Sequence, residues 1–329
     1  QPLYKKPGDG NYLLPWVRFH AIKDYLDMAK LIESIPMMRA VINVVPSLLV
    51  QLEDYVKGSA RDPFLTCSLK PAAELTDSER LFLLKNFFSV NKRRFIDSST
   101  RFSELLKKKT EAGWHAENAI NIFDTQDYLD LQVHFNLAWC GPSLKKDPQI
   151  ASLIDKDRNF TQQEKELLLT RQQDVMEKII PTYKRLQESN RIEISVSPFY
   201  HPLLPLLCDN HAAEIAQPGT KLPSHRFRHP EDADEQIGLA LEYYRKLFGK
   251  ETQGMWPPEG AVSNETLELI AKHGLKWLVT DETILVKSLA VSKTFDRELS
   301  GCLPAEKSCI PYKFKSKKGE TSIFFRNQS

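Results

Sequence analysis

The residues best suited to chemistry stand between Gly254 and Ser263, in the sequence Gly-Met-Trp-Pro-Pro-Glu-Gly-Ala-Val-Ser. The acid of this stretch, Glu259, follows two prolines, which fix φ and hold the carboxylate on a stiff segment. Gly260 allows another group to approach the backbone, and Trp256 offers an apolar platform. A carboxylate beside an aromatic ring at the end of a strand suits the cleavage of sugars. The alternative is a strand-to-helix loop whose acid only complements the dipole of the following helix.

A second carboxylate lies in a predicted strand, Ile192-Glu193-Ile194-Ser195-Val196-Ser197-Pro198. Apolar and polar side chains alternate, so Glu193 shares one face of the strand with two serines. In a parallel barrel that face would line the lumen, where polar groups cost free energy unless they serve a site. An edge strand with one wet face explains the alternation equally well. His201 follows at the carboxyl end of the strand, where barrel enzymes place their chemistry.

Two further groups of residues have competing interpretations. Asp281 ends a predicted strand and either lines a site or caps the next helix. His225 and His229 have i, i+4 spacing, which on a helix could bind a metal. The segment lies between two prolines and has no third ligand nearby in sequence, which favours an exposed basic loop over a metal site.

The elements that must position these side chains follow a β/α rhythm, in which apolar runs predict parallel strands that lie side by side. Residues 57–190 interrupt the rhythm with a long tract rich in Leu, Lys, Glu and Gln, which indicates helices. The sequence therefore predicts an α/β fold in which 1–56 and 191–329 form one barrel and 57–190 a mostly helical insertion. The strands are predicted at 39–45, 192–197, 253–256 and 275–280.

Two segments of the helical tract give specific predictions of helix. Thr161-Gln162-Gln163-Glu164 matches a capping box and starts an amphipathic run to about Arg185. From Asp127 to Trp139 the apolar residues fit both strand alternation and a helical face. The helical surroundings favour a helix there.

Composition narrows the class of protein. The 329 residues suffice for two average domains or one barrel-sized domain, and the formal charge of +2 gives no sign of a nucleic-acid or anionic membrane partner. No apolar run approaches the roughly 18 residues of a membrane span. The five cysteines form no CxxC pair, which argues against a zinc knuckle or a disulfide framework and favours a reducing, cytoplasmic compartment. These cysteines are Cys67, Cys140, Cys208, Cys302 and Cys309.

Together these motifs resemble those of glycoside hydrolase family 57, and the resemblance runs nearly end to end. Ile192-Glu193-Ile194-Ser195 is similar to the family's second signature region, whose glutamate lines the sugar site. Trp256-Pro257-Pro258-Glu259 is similar to the third region, whose glutamate is the nucleophile. Gln1-Pro2 resembles the end of the opening His-Gln-Pro motif, and Leu14-Pro15-Trp16-Val17-Arg18 resembles the segment that follows it.

The resemblance implies an incomplete (β/α)7 barrel and a retaining hydrolase or transglycosylase that acts on α-linked glucans. Glu259 would form the covalent glycosyl-enzyme, and we expect the site residues to converge at one end of the sheet. No cofactor, metal, nucleic acid or membrane partner is implied, and the oligomeric state stays open. The expected substrate-binding residues are Glu193, His201, Trp256, Asp281 and Trp16.

One departure from the family pattern concerns the general acid, which in the family is an aspartate much further past the nucleophile. Asp281 follows Glu259 by only 22 positions. Retaining chemistry uses two carboxyl groups about 5–5.5 Å apart. We therefore expect the acid beyond Ser329 and the opening histidine before Gln1, so that this chain by itself is nearly inactive.

Two other classes of protein remain open. A metal-dependent polysaccharide deacetylase needs an aspartate and two histidines on one metal, for which the candidates are His201, His225 and His229. A non-catalytic glucan-binding protein would keep the cleft without turnover. The intact Glu259 argues against that second alternative.

Overall fold

The computed structural model describes residues 2–8, 10–113, 115–292, 303 and 305–327. The chain divides into two compact units. The first, the sheet unit, contains Gln1–Leu3, Arg39–Val50 and Ser189–Ser329. The second, the helical unit, contains Tyr4–Met38 and Gln51–Glu188. The second unit thus takes in residues 4–38 as well as most of the predicted insertion.

The sheet unit contains a six-stranded sheet in the order β1-β2-β3-β4-β6-β5. All neighbouring strands pair in parallel except β5 and β6, which form an antiparallel hairpin. The predicted α/β fold with four adjacent parallel strands is confirmed, whereas β5 was not predicted. The strands are β1 (Ala40–Val44), β2 (Ile192–Val196), β3 (Gly254–Met255), β4 (Trp277–Asp281), β5 (Tyr312–Ser316) and β6 (Gly319–Arg326).

The two faces of this sheet differ in chemistry. On one face Val196, Met255 and Leu278 are in register and are fully buried against helices. That burial of apolar side chains is the main stabilising term for the unit. The helices that contribute to this core are Leu204–Cys208, Pro230–Phe248 and Asn264–Lys272. The remaining helical segments of the unit are Ala212–Ala216, Glu282–Val291 and Ala305–Ser308, with a 3-10 turn at Pro258–Gly260.

The opposite face, which we call the open face, carries the polar side chains of the same strands. Because side chains alternate along a strand, Glu193 and Ser195 of β2 lie on this face together with Trp277 of β4. Val41 of β1 and Phe324 of β6 are 58% and 42% exposed there, so the open face is not covered like the core face. On this side of β2 Glu193 is exposed, whereas Ser195 is buried and its hydroxyl donates to Oδ1 of Asn43 in β1 at 3.1 Å.

The helical unit confirms both local predictions for that tract. Residues Thr125–Ala138 form a helix, and nearly every one of them is buried, which explains why its apolar pattern is ambiguous. The capping box at the start of the long helix is present, since Thr161 and Glu164 exchange hydrogen bonds of 2.7 and 3.2 Å. Pro46–Val56 crosses from one unit to the other. The other α-helices are Trp16–His20, Leu26–Ser34, Pro63–Leu69, Asp77–Asn86, Thr100–Glu111, Pro142–Lys145, Pro148–Lys156 and Gln162–Glu188, with π-helical segments at Ala21–Tyr25 and Lys92–Ile96 and 3-10 turns at Ala72–Glu74 and Ala116–Ala119.

Within the described ranges, every helix is either too short or too polar to cross a lipid bilayer.

Candidate functional site

Glu259 stands in a tight turn that is separated from the end of β3 by two residues. The turn Pro258–Gly260 gives Glu259 the angles φ 53° and ψ 19°, and Gly260 follows with φ 67°. A left-handed conformation costs a residue with a side chain roughly 1–2 kcal/mol, so surrounding contacts must hold it. One such contact is the hydroxyl of Thr280 in β4, which donates to the carbonyl oxygen of Gly260. The turn thereby fixes the backbone of Glu259 beside the end of β4, and its side chain is exposed.

His201 occupies the corresponding position after β2. Its φ is 59°, and its N–H donates to the carbonyl of Pro198 at 2.9 Å. Partial burial lowers the pKa of the His201 imidazole below its usual value, and the carboxylate of Glu259 acts in the opposite direction. The two side chains therefore lie close enough to interact electrostatically. Both are non-glycine residues held in left-handed backbone at the ends of neighbouring strands.

Trp256 and Asp281 are joined through a residue that sequence reasoning did not select. The guanidinium of Arg326 lies over the ring of Trp256, 5.7 Å from its centroid, which is a cation–π distance. The same guanidinium donates from Nη2 to Oδ2 of Asp281 at 3.2 Å. The structure thus brings an aromatic ring, a cation and a carboxylate together at the carboxyl ends of β4 and β6 and the end of β3.

Asp281 also caps the helix Glu282–Val291, so the capping interpretation is confirmed. Its Oδ1 accepts hydrogen bonds from the backbone N–H of Thr283 at 3.1 Å and from the Thr283 hydroxyl at 2.9 Å. The backbone N–H of Thr283 has the largest effect and lowers the pKa of Asp281, burial opposes it, and the Thr283 hydroxyl and Arg326 lower the pKa further. The carboxyl group is therefore held ionised.

Glu193 lies nearer the amino end of the sheet than the other acids. Val196 pairs with Met255, so Glu193 stands four residues before the level of Trp256, roughly 13 Å along the strands. Its carboxylate is exposed and accepts a hydrogen bond of 2.8 Å from Nε1 of Trp277. The register therefore separates Glu193 from the carboxyl-end group of His201, Trp256, Glu259 and Asp281.

Trp16 belongs to the helical unit and is 38% exposed. Its ring meets those of Phe19 and Trp139 edge to face, with centroids 6.2 and 6.0 Å apart. Phe19 and Trp139 are stacked on each other at 4.2 Å. Trp16 is thus the exposed member of an aromatic cluster within that unit.

The histidine pair lies in irregular chain, as expected for an exposed loop. His225 and His229 belong to no helix, and Nδ1 of His229 is 2.8 Å from Oε1 of Glu231. Across the described parts of the chain, no three His, Cys, Asp or Glu side chains are grouped so that they could hold a metal ion. The described cysteines Cys67, Cys140, Cys208 and Cys309 are free thiols, and Cys302 lies outside the described residues.

Two contributors to the open face, Trp277 and Arg326, were missed at the sequence level. Trp277 has the same parity in β4 as Asp281, a signal that could have placed it on the same face. Arg326 gave no usable signal, because its pairing opposite Asp281 depends on the register between β4 and β6.

The family model for glycosyl hydrolase family 57 matches residues 1–329. The chain belongs to glycosyl hydrolase family 57. Gln1, part of the resemblance to the family's opening motif, lies outside the described residues. A search of curated proteins finds no match to the chain.

Several solved structures resemble the chain over part of their own length. The alpha-amylase AmyC from Thermotoga maritima is 13% identical, with a TM-score of 0.46 over 99% of this chain and 44% of its own. A GH57-type branching enzyme from Pyrococcus horikoshii is 15% identical, with a TM-score of 0.44 over 100% of this chain and 45% of its own. The 4-alpha-glucanotransferase from Thermococcus litoralis is 20% identical, with a TM-score of 0.33 over 49% of this chain and 20% of its own. The chain thus spans less than half the length of these proteins.

Proposed function

We propose that the chain carries the nucleophile of a retaining glycoside hydrolase or transglycosylase that acts on α-linked glucans. The observation that supports this most directly is the left-handed turn that holds Glu259 at the end of β3. Strained backbone at a non-glycine residue is common where a side chain has to be presented to a ligand. Membership of glycosyl hydrolase family 57 supports the reaction class.

In the proposed reaction the ionised carboxylate of Glu259 attacks the anomeric carbon of an α-glucoside. The bond to the leaving oxygen breaks, and a covalent glycosyl-enzyme forms on Glu259. Water or a sugar hydroxyl then displaces Glu259 from the same carbon, so two inversions give overall retention. Water as the acceptor gives hydrolysis, and a sugar hydroxyl gives transglycosylation.

The leaving oxygen needs a proton from a general acid, whose pKa must be raised to hold that proton near neutrality. Asp281 does not fit this role, because Thr283 and Arg326 lower its pKa. We assign Asp281 to substrate binding instead, together with Glu193, His201, Trp256 and Trp16. No described residue is proposed as the general acid.

The proposal includes a finer architecture. We infer that the sheet unit is part of an incomplete (β/α)7 barrel whose lumen is the open face, with residues 57–190 as a helical insertion. The polar side chains of β2 and the exposure of Val41 and Phe324 support this, because the lumen face of a barrel strand is covered only when the barrel closes. The free thiols of the described cysteines support a cytoplasmic location.

Two other functions have less support. A metal-dependent deacetylase needs three converging ligands, and no such group exists in the part of the chain that the structure describes. A glucan-binding protein without turnover would not need Glu259 in a strained turn. That second function is separated from ours by turnover alone, so the experiment below measures turnover.

The test is chemical rescue in the whole natural protein. Glu259→Gln should lower kcat on an aryl α-maltooligoside at least about 10³-fold, since the nucleophile is lost. Glu259→Ala should regain turnover in azide and release the β-glycosyl azide, because the small anion attacks once where Glu259 attacked. The control is Glu251→Gln. Glu251 is an exposed acid just before β3, and this variant should keep wild-type kcat.

Three outcomes would refute this proposal. Normal turnover in Glu259→Gln would show that Glu259 is not the nucleophile. Chelator-sensitive release of acetate from an N-acetylated oligosaccharide, with the maltooligoside left uncleaved, would favour the deacetylase. A wild-type protein that binds maltoheptaose and never cleaves or transfers it would be a binding protein.

A further inference from the structure

Trp277 makes a contact that crosses the open face from β4 to β2. Its Nε1–H donates to Oε1 of Glu193 at 2.8 Å, although the two residues are 84 positions apart in sequence. Between them in the sheet stands Gly254, the first residue of β3, which pairs with Trp277. A Cβ at position 254 would lie 2.1 Å from both Cε2 and Cζ2 of the Trp277 ring. The indole thus occupies the space where a side chain of residue 254 would stand.

Strand spacing explains why a glycine is needed there. Neighbouring strands lie about 4.8 Å apart, so an indole that leaves β4 and reaches a side chain of β2 has to cross β3. Gly254 leaves room for the ring to rest on the backbone. With one ring face against Gly254, the other face is directed away from the sheet. Trp277 is partly exposed, and no ring–ring contact involves it within the described residues.

Glu193 completes a surface with two kinds of binding group. One of its oxygens accepts the Trp277 N–H, and the described residues provide no further hydrogen bond to the other. The carboxylate is exposed on the same face as the ring. An apolar ring beside a carboxylate acceptor fits a hexopyranose, which presents C–H groups on one face and hydroxyl donors at its edge.

We propose that Trp277, seated on Gly254 and bonded to Glu193, is the floor of a hexose-binding subsite on the open face. The choice of a glucan as its ligand rests on the proposed function, whereas the subsite itself rests on the contacts above. The Trp277 ring packs against the C–H face of a glucose unit, and Glu193 accepts from its hydroxyls. Gly254 is a positioning residue, because it acts only by leaving the ring its place.

The competing explanation is that Trp277 only fills space on the sheet. That role would make its variants less stable without changing their affinity for sugar. The experiment therefore measures binding of maltoheptaose by calorimetry, with thermal unfolding as a separate readout of folding. It uses the whole natural protein with Glu259→Gln as background, so that the ligand is not consumed.

Four variants are compared in that background. Trp277→Ala should weaken maltoheptaose binding about tenfold or more, and Trp277→Phe about threefold, since a smaller ring remains but the donor to Glu193 is lost. Gly254→Ala should also weaken binding about tenfold, because its Cβ displaces the ring. Gly238→Ala is the matched control, since its Cβ would have no neighbour nearer than 3.6 Å, and it should bind as the parent does.

A double variant separates displacement of the ring from a general effect at Gly254. If Gly254 acts through Trp277, adding Gly254→Ala to Trp277→Ala should cause no further loss of affinity. Bound maltoheptaose should also protect one tryptophan more from acrylamide quenching in the parent than in Trp277→Phe. A role in packing alone would not change that protection.

The subsite is overturned if Trp277→Phe and Gly254→Ala fold and bind maltoheptaose as tightly as the parent. It is equally overturned if the parent does not bind maltoheptaose at all. These outcomes are distinct from failure of the proposed function, which is decided by turnover and azide rescue at Glu259. Weakened binding in the Trp277 and Gly254 variants would sustain the subsite even if Glu259 proved not to be the nucleophile.

Discussion

At the scale of single residues, the site is defined by backbone conformation as much as by side-chain type. Glu259 and His201 both follow strands, and both have φ between 50° and 60°. Only a side chain that tolerates left-handed backbone stands there without strain, and Glu is not one of those. A stability cost is therefore retained at Glu259, the proposed nucleophile, whereas His is among the residues that tolerate left-handed backbone.

The strain at Glu259 predicts that a substitution which relieves it makes the protein more stable but inactive. Glu259→Asn should raise the free energy of unfolding by up to about 1 kcal/mol, because Asn adopts left-handed backbone more readily. The same variant should be inactive, since a shortened amide cannot act as the nucleophile. Urea unfolding of the variant and the parent measures the first effect, and turnover measures the second.

The matched control for that prediction is Glu251→Asn, at an exposed glutamate that is not among the positive-φ residues. It should leave stability unchanged or slightly lower. A Glu259→Asn protein that is less stable than the parent would show that the side chain of Glu259 contributes more than its backbone costs.

At the scale of elements, the junction between β4 and the helix Glu282–Val291 combines two roles in Asp281. The carboxylate caps the helix through Thr283, and it pairs with Arg326 from β6. A cap contributes about 1 kcal/mol, and an exposed ion pair about 0.2–1 kcal/mol. The cap is therefore at least as important as the ion pair at this junction.

The two contributions can be separated by pH. Asp281→Asn keeps an oxygen for the cap, since Asn is a good N-cap, but loses the charge that pairs with Arg326. The folded-state pKa of Asp281 is lowered from its ordinary value of 3.8, first by the backbone N–H of Thr283 and further by Arg326, so the ionised carboxylate stabilises the protein above that value. Asp281→Asn should therefore cost about 0.2–1 kcal/mol at pH 7. That difference should shrink as the pH falls below 3.8 through the folded pKa.

Urea unfolding at pH 7, 5 and 3.5 measures this dependence, with Arg326→Gln as the second arm of a double-mutant cycle. In the Arg326→Gln background, Asp281→Asn should have a smaller effect, and the part that remains comes from the bond between the charged carboxylate and the Thr283 N–H. A cost of the same size at every pH would assign the effect to the cap rather than to the charge.

At the scale of the whole molecule, the proposed barrel can be tested at β1, the strand at one edge of the sheet. The N–H of Ala40 donates to the carbonyl of Arg191 ahead of β2, so the N–H groups of Val41 and Asn43 are directed away from β2. In a sheet that ends at β1, those two amides face solvent. In a barrel that continues past β1, they pair with a further strand.

Hydrogen exchange in the whole natural protein tests this. If the barrel continues past β1, the amides of Val41 and Asn43 should exchange about as slowly as that of Ile42, which faces β2. Exchange at the rate of loop amides would mean that β1 is a free edge and that the barrel does not continue there. Ile42 serves as the internal reference, since it belongs to the same strand.

The sequence by itself determined the features that depend on neighbours along the chain. The alternation at Ile192–Val196, the cap at Asp281 and the capping box at Thr161 each involve residues a few positions apart, so local patterns were sufficient. Glu259 could be identified as a candidate because the two prolines before it and the glycine after it predict a stiff turn. Its left-handed φ could not, since that depends on the anchor from Thr280.

Only the tertiary structure decided which side chains meet across strands. A shift of one residue in register would move every side chain to the other face of the sheet, and no local pattern specifies register between strands joined by long connections. The bond from Trp277 to Glu193, the space left by Gly254 and the pairing of Arg326 with Asp281 all depend on that register. The candidate nucleophile could therefore be predicted from the sequence, whereas the side chains around the site are determined by the register between strands.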